Sequence, residues 1–121
     1  MPYDIETVLT AYVECALWAS TDWDDGEPLD GLYSADDLAP EALASMRAEV
    51  ADFLGACSEL DLSPITAEQF GHDFWLTRNG HGAGFWDRGN GELGDTLTAL
   101  AHPYGESNVY VGDDGSIYVT P

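Results

Sequence analysis

The sequence predicts an α+β fold: a small antiparallel sheet of about four strands, built from two hairpins and packed with three helices. Three observations carry this expectation. Two segments in the N-terminal half repeat apolar residues at helical spacing. The run from His72 alternates in polarity and then meets Asn79-Gly80, a hairpin dipeptide. The last residues alternate on both sides of Asp113-Asp114-Gly115. A length of 121 residues, with no internal repeat and no compositional break, fits one domain spanning 1–121.

The first predicted helix covers residues 4–20. Asp4 can cap its start, and Ile5, Val8, Leu9, Tyr12, Val13, Ala16 and Leu17 form its apolar stripe, with Glu6, Thr10 and Glu14 off it. Residues 21–39 read as a long acidic loop punctuated by Gly, Pro and Asp. Pro40 suits the first position of a second helix running to about Leu60. Its buried stripe is Leu43, Met46, Val50, Phe53, Leu54 and Cys57. Residues 63–71 read as a connector with one helical turn from Thr66 to Phe70.

From His72 to Thr77, Phe74 and Leu76 alternate with Asp73, Trp75 and Thr77, which predicts a strand. Asn79-Gly80 then predicts a turn, and "GFWD" its return strand. Asn90 or Gly91 opens a third helix carrying Leu93, Leu97, Leu100, Ala101 and Tyr104, which Pro103 ends or bends. Two short strands close the chain, with Val109 and Val111 on one and Ile117 and Val119 on the other.

Charge is the largest anomaly. There are 23 acidic residues, three arginines and no lysine, for a formal net charge of −20. Such a body repels phosphate backbones and anionic lipid, so direct nucleic-acid and membrane binding are not expected. It attracts basic protein surfaces. With 4 Trp, 6 Tyr and 4 Phe the chain can nonetheless build a core, unlike a disordered acidic tail. Cys15 and Cys57 fall on apolar helical faces and are expected to be buried thiols rather than a disulfide. The opening "MPYDIE" lacks the basic start and apolar core of a signal peptide, and no stretch is long enough to cross a bilayer. A cytoplasmic protein is the expectation.

Catalytic and metal chemistry find little support. "DWDDGE" and "GDDGS" lack the ligand spacing of an EF-hand, and Cys15, Cys57, His72, His81 and His102 lack the paired spacing of a zinc site. No metal and no cofactor are expected. His72, Arg78, His81 and Arg88 gather in the predicted hairpin and define an alternative ligand or hydrolase site, but no nucleophile stands beside them. No catalytic residue is assigned. The glycines of "GHGAGFWDRGNG" match no phosphate-binding loop.

The run "HDFWLTRNGHGAGFWDRGNGELGDTLTALA", with the later "VYVGDDGSIYV" and the earlier "DDGEPLD", resembles a family of small acidic proteins encoded by tailed bacteriophages and related viruses. The resemblance spans nearly the whole chain. It implies a viral protein working inside a host cell and transfers no activity and no catalytic residue. The absence of lysine departs from such a family in degree.

The expected function is therefore to bind and block a basic, nucleic-acid-binding surface of a host protein, as a DNA mimic directed at a defence system or a nuclease. The acids expected to make that surface are Asp22, Asp24, Asp25, Glu27, Asp30, Asp36, Asp37, Glu41, Glu49, Asp52 and Glu59, with Trp23 and Tyr33 as apolar anchors. Two other readings compete: an acid-rich surface adapted to high salt, and the ligand site at His72–Arg88.

Overall fold

Four helices and one two-stranded antiparallel sheet make up the computed structural model, which describes residues 3–19, 33–80, 84–87, 89 and 91–120. The helices are α1 (Ile5–Ala19), α2 (Pro40–Ala56), α3 (Ala67–Arg78) and α4 (Glu92–Ala101); the strands are β1 (Asn108–Val111) and β2 (Ile117–Thr120). Short 3₁₀ turns cover Ala35–Asp37, Phe85–Asp87 and His102–Tyr104.

The four-strand prediction is corrected here: the protein is mostly helical, and the first predicted hairpin does not exist. His72–Thr77 lies inside α3, and "GFWD" contributes a 3₁₀ turn instead of a return strand. The physical reasons are local. Thr66 is the N-cap of α3, its hydroxyl accepting the Gln69 N–H at 3.1 Å. The run Phe70–Arg78 is buried on nearly every side, apart from a half-buried His72, so polarity along it does not report a face. A six-residue alternation in such a segment fits a buried helix as well as a strand. Asn79-Gly80 is a helix stop. Asn79 N–H donates to the Trp75 carbonyl, Gly80 N–H donates to the Thr77 carbonyl, and Gly80 takes φ +69°, a left-handed value suited to glycine.

The other elements lie close to their predicted positions. α1 starts one residue after Asp4, Pro40 opens α2, Gly91 caps α4, and the C-terminal hairpin pairs Val109 with Val119 and Tyr110 with Tyr118. α2 stops at Ala56, short of Leu60.

Helices α1 and α3 make the main packing contact, and a glycine allows it. A Cβ on Gly71 would lie 2.3 Å from the Val8 carbonyl oxygen and 3.1 Å from the Tyr12 backbone nitrogen. The backbones therefore approach more closely than any side chain permits. Below this crossing an aromatic stack fills the core. Phe53 of α2 lies flat on Phe74 of α3, with centroids 4.0 Å apart and planes 12° apart, and Phe70, Phe85 and Tyr104 close around the pair. Phe85 is tied to α3 by its N–H, which donates to the Thr77 hydroxyl at 3.1 Å. The hairpin docks on the start of α2, where the Ala39 N–H donates to the Ile117 carbonyl and Ile117 is fully buried. Cys15 and Cys57 are buried in this core, and burial pushes the Cys57 thiol up to about 11.

Candidate functional site

Asp36 and Asp37 sit exposed in the 3₁₀ turn before α2, and Asp37 accepts the Ser34 N–H at 2.8 Å. Glu41 is exposed in the first turn of α2, where a carboxylate is favoured by the helix dipole. Asp52 lies eleven residues on, which returns it to the same helix face about 16 Å away. It accepts a hydrogen bond from the Tyr104 hydroxyl. Burial and this contact with Asp52 both raise the Tyr104 pKa. Glu59 is exposed past the helix end. Tyr33 is half-buried against the core and so presents only part of its ring. Asp22, Trp23, Asp24, Asp25, Glu27 and Asp30 lie outside the described residues.

Glu49 differs from the rest of the predicted surface. It is half-buried and accepts from Arg78 at 2.7 Å. That ion pair is the centre of a polar network inside the helical layer. The Arg78 guanidinium also donates to the Tyr12 hydroxyl at 2.9 Å, the Gly105 carbonyl at 2.9 Å and the Tyr104 carbonyl at 3.1 Å. Its carbon lies 5.9 Å from the Phe74 ring centroid and 5.7 Å from that of Tyr104. Burial works against the Arg78 charge, but Tyr12 and Glu49 outweigh it and its pKa rises. Burial drives the Tyr12 hydroxyl pKa upward.

The alternative site is not assembled by the described residues. Arg78 points into this network, whereas His72, six residues earlier on the same helix, lines a surface groove. His81 and Arg88 lie outside the described residues. Among the described residues no group of three or more His, Cys, Asp or Glu side chains is placed to hold a metal.

The groove was not foreseen as a site, although its residues were visible as the polar positions off the α1 stripe. It runs between α1 and α3, has a volume of about 700 Å³, and is lined by Glu6, Thr10, Glu14, Glu68, Gln69 and His72 among others. Trp18 stands against it, its ring 5.9 Å from that of His72.

Apart from Asp73 and Glu49, every described Asp and Glu of known exposure is exposed. The one exposed arginine among the described residues, Arg47, is held by Glu6 through both terminal guanidinium nitrogens. No helix among the described residues is long and apolar enough to cross a membrane. Comparison with protein-family models, curated proteins and solved structures returns no match.

Proposed function

We propose that the protein is a virus-encoded acidic binder that occupies a basic, nucleic-acid-binding surface of a host protein, as a DNA mimic directed at a defence system or nuclease inside the host cell. The observation that supports this most is the exposed charge. All described carboxylates of known exposure except Asp73 and Glu49 are exposed, and the one exposed arginine among the described residues is already paired with Glu6. Binding by such a face gains from counterion release and long-range attraction, and it falls steeply as salt rises. Asp36, Asp37, Glu41, Asp52 and Glu59 form the described part of the contact. Glu49 acts behind them, holding Arg78.

The test is inhibition. A panel of purified DNA-cutting and DNA-repair enzymes is assayed with the protein at about 50 mM and about 300 mM salt, on either side of physiological screening. Inhibition of one enzyme at low salt, relieved at high salt and weakened by D36N/D37N/E41Q, supports the proposal. Equal inhibition by the charge-reduced variant refutes it.

A second reading has its own observation. Exposed acids occur on all four helices and at the hairpin tip, including Glu68, Glu92, Asp95, Asp113 and Asp114. Adaptation to a salty medium predicts such a spread, and it predicts no inhibition anywhere in the panel.

A further inference from the structure

Glu6, Thr10 and Glu14 of α1 line one side of the groove, and Trp18 follows Glu14 by one helical turn. Glu68 and His72 of α3 line the other. Between the two rows lies the groove of about 700 Å³. At its edge the Trp18 ring is 56% exposed and leans on His72 at an interplanar angle of 37°. Among the described residues Trp86 and Tyr110 are also exposed, but Trp18 is the one whose ring rests on a residue lining the groove.

The protein handles its own guanidinium groups in a consistent way. Arg47 grips Glu6 at the groove rim through two nitrogens. Arg78 lies beside the rings of Phe74 and Tyr104, 5.9 Å and 5.7 Å from their centroids, and is paired with Glu49. The groove offers outward the same combination of an aromatic face and carboxylates. Glu14 and Glu68 have no ion-pair or hydrogen-bond partner among the described residues. Phosphate and carboxylate ligands are repelled by this lining. A guanidinium suits it better than an ammonium, because it is planar, stacks on aromatic rings, pairs with carboxylates through two N–H groups and is more weakly hydrated.

We propose that the α1–α3 groove seats an arginine side chain of a basic protein partner, its guanidinium paired with the carboxylates of Glu14 and Glu68 and stacked on the Trp18 indole. The inference rests on the function proposed above for the source of that side chain, and it adds the residue type read and the place where it is read.

The experiment titrates the ¹⁵N-labelled protein with three probes: the peptide (Arg-Gly)₅, the peptide (Lys-Gly)₅ and spermine. The expected result is saturable movement of the Trp18 indole N–H and of the Glu14, Glu68 and His72 amides with the arginine peptide. The lysine peptide and spermine bind at least fivefold more weakly. W18A and E14Q/E68Q, all at exposed positions, each weaken the arginine peptide at least fivefold, while D36N/D37N/E41Q leaves the groove signals moving as before. Equal affinity for all three probes overturns the inference, as does movement spread evenly over every acidic residue or an unaffected W18A. The two proposals fail separately. Groove binding without inhibition of any enzyme in the panel removes the nucleic-acid-mimic reading alone, and inhibition insensitive to W18A removes the groove alone.

Discussion

Replacing Gly71 by alanine tests whether the α1–α3 crossing organises the fold. The added Cβ would sit 2.3 Å from the Val8 carbonyl oxygen, 3.1 Å from the Tyr12 nitrogen and 3.2 Å from the Ala11 Cβ. The first two neighbours are backbone atoms of a helix, so no side-chain rotation relieves the clash. The helices must separate, and the buried contacts of Val8 and Tyr12 with α3 loosen. Overpacking of this kind costs about 1–3 kcal/mol. Alanine recovers up to about 1 kcal/mol of helix propensity. With backbone as the obstacle, the upper part of the range applies, and the net loss is about 2 kcal/mol. Gly55, exposed near the end of α2, is the control: a Cβ there meets nothing within 4 Å. Gly55→Ala should therefore gain a few tenths of a kcal/mol to about 1 kcal/mol. Urea unfolding at fixed salt reads both variants. A Gly71→Ala protein as stable as the parent would refute the close crossing.

Arg78→Met leaves Glu49 and the carbonyls of Tyr104 and Gly105 without their donor. It should cost about 3–5 kcal/mol in the same urea assay, and Arg78→Lys should restore only part, because one ammonium cannot reproduce the fork. Added salt should raise the melting temperature by several degrees between about 10 mM and about 500 mM NaCl, since the Debye length shrinks roughly sevenfold over that range and screens the self-repulsion of a −20 chain. Stability should fall as pH rises above 10. Burial raises the Tyr12 hydroxyl above its unfolded value of 10.0, so the unfolded chain releases that proton first and gains on the folded one. The limiting slope is about 1.4 kcal/mol per pH unit for one such tyrosine, and Tyr12→Phe should flatten it.

The helical part of the fold was legible where periodic burial and a start signal coincided. The stripe from Ile5 to Leu17 and Pro40 ahead of Met46, Val50 and Phe53 placed α1 and α2 within a few residues. The last hairpin was legible because its two strands are half-exposed and so keep their alternation. α3 was misread because deep burial erases the polar face that marks a helix, leaving Phe74 and Leu76 to imitate a strand. Thr66 and Gly80 flank this helix, yet in the sequence alone they fit an isolated turn and a hairpin, respectively, equally well. The exposure of Glu41, Asp52 and Glu59 follows from their positions off the apolar stripe of the second helix. That Glu49 pairs with Arg78 was not readable, because the two meet only when α2 and α3 pack. The groove depends on the same packing of two helices far apart in sequence, although Glu6, Thr10 and Glu14 stand off the apolar stripe of α1.

Displacement of a labelled DNA duplex from basic DNA-binding enzymes, followed by fluorescence anisotropy, measures the central claim most directly. The account predicts that this protein releases the duplex from one enzyme of a panel, that polyglutamate of equal charge does so far less well, and that the effect fades between about 50 and about 300 mM salt. Release by polyglutamate to the same extent, or retention of the duplex by every enzyme at the lower salt, would contradict it.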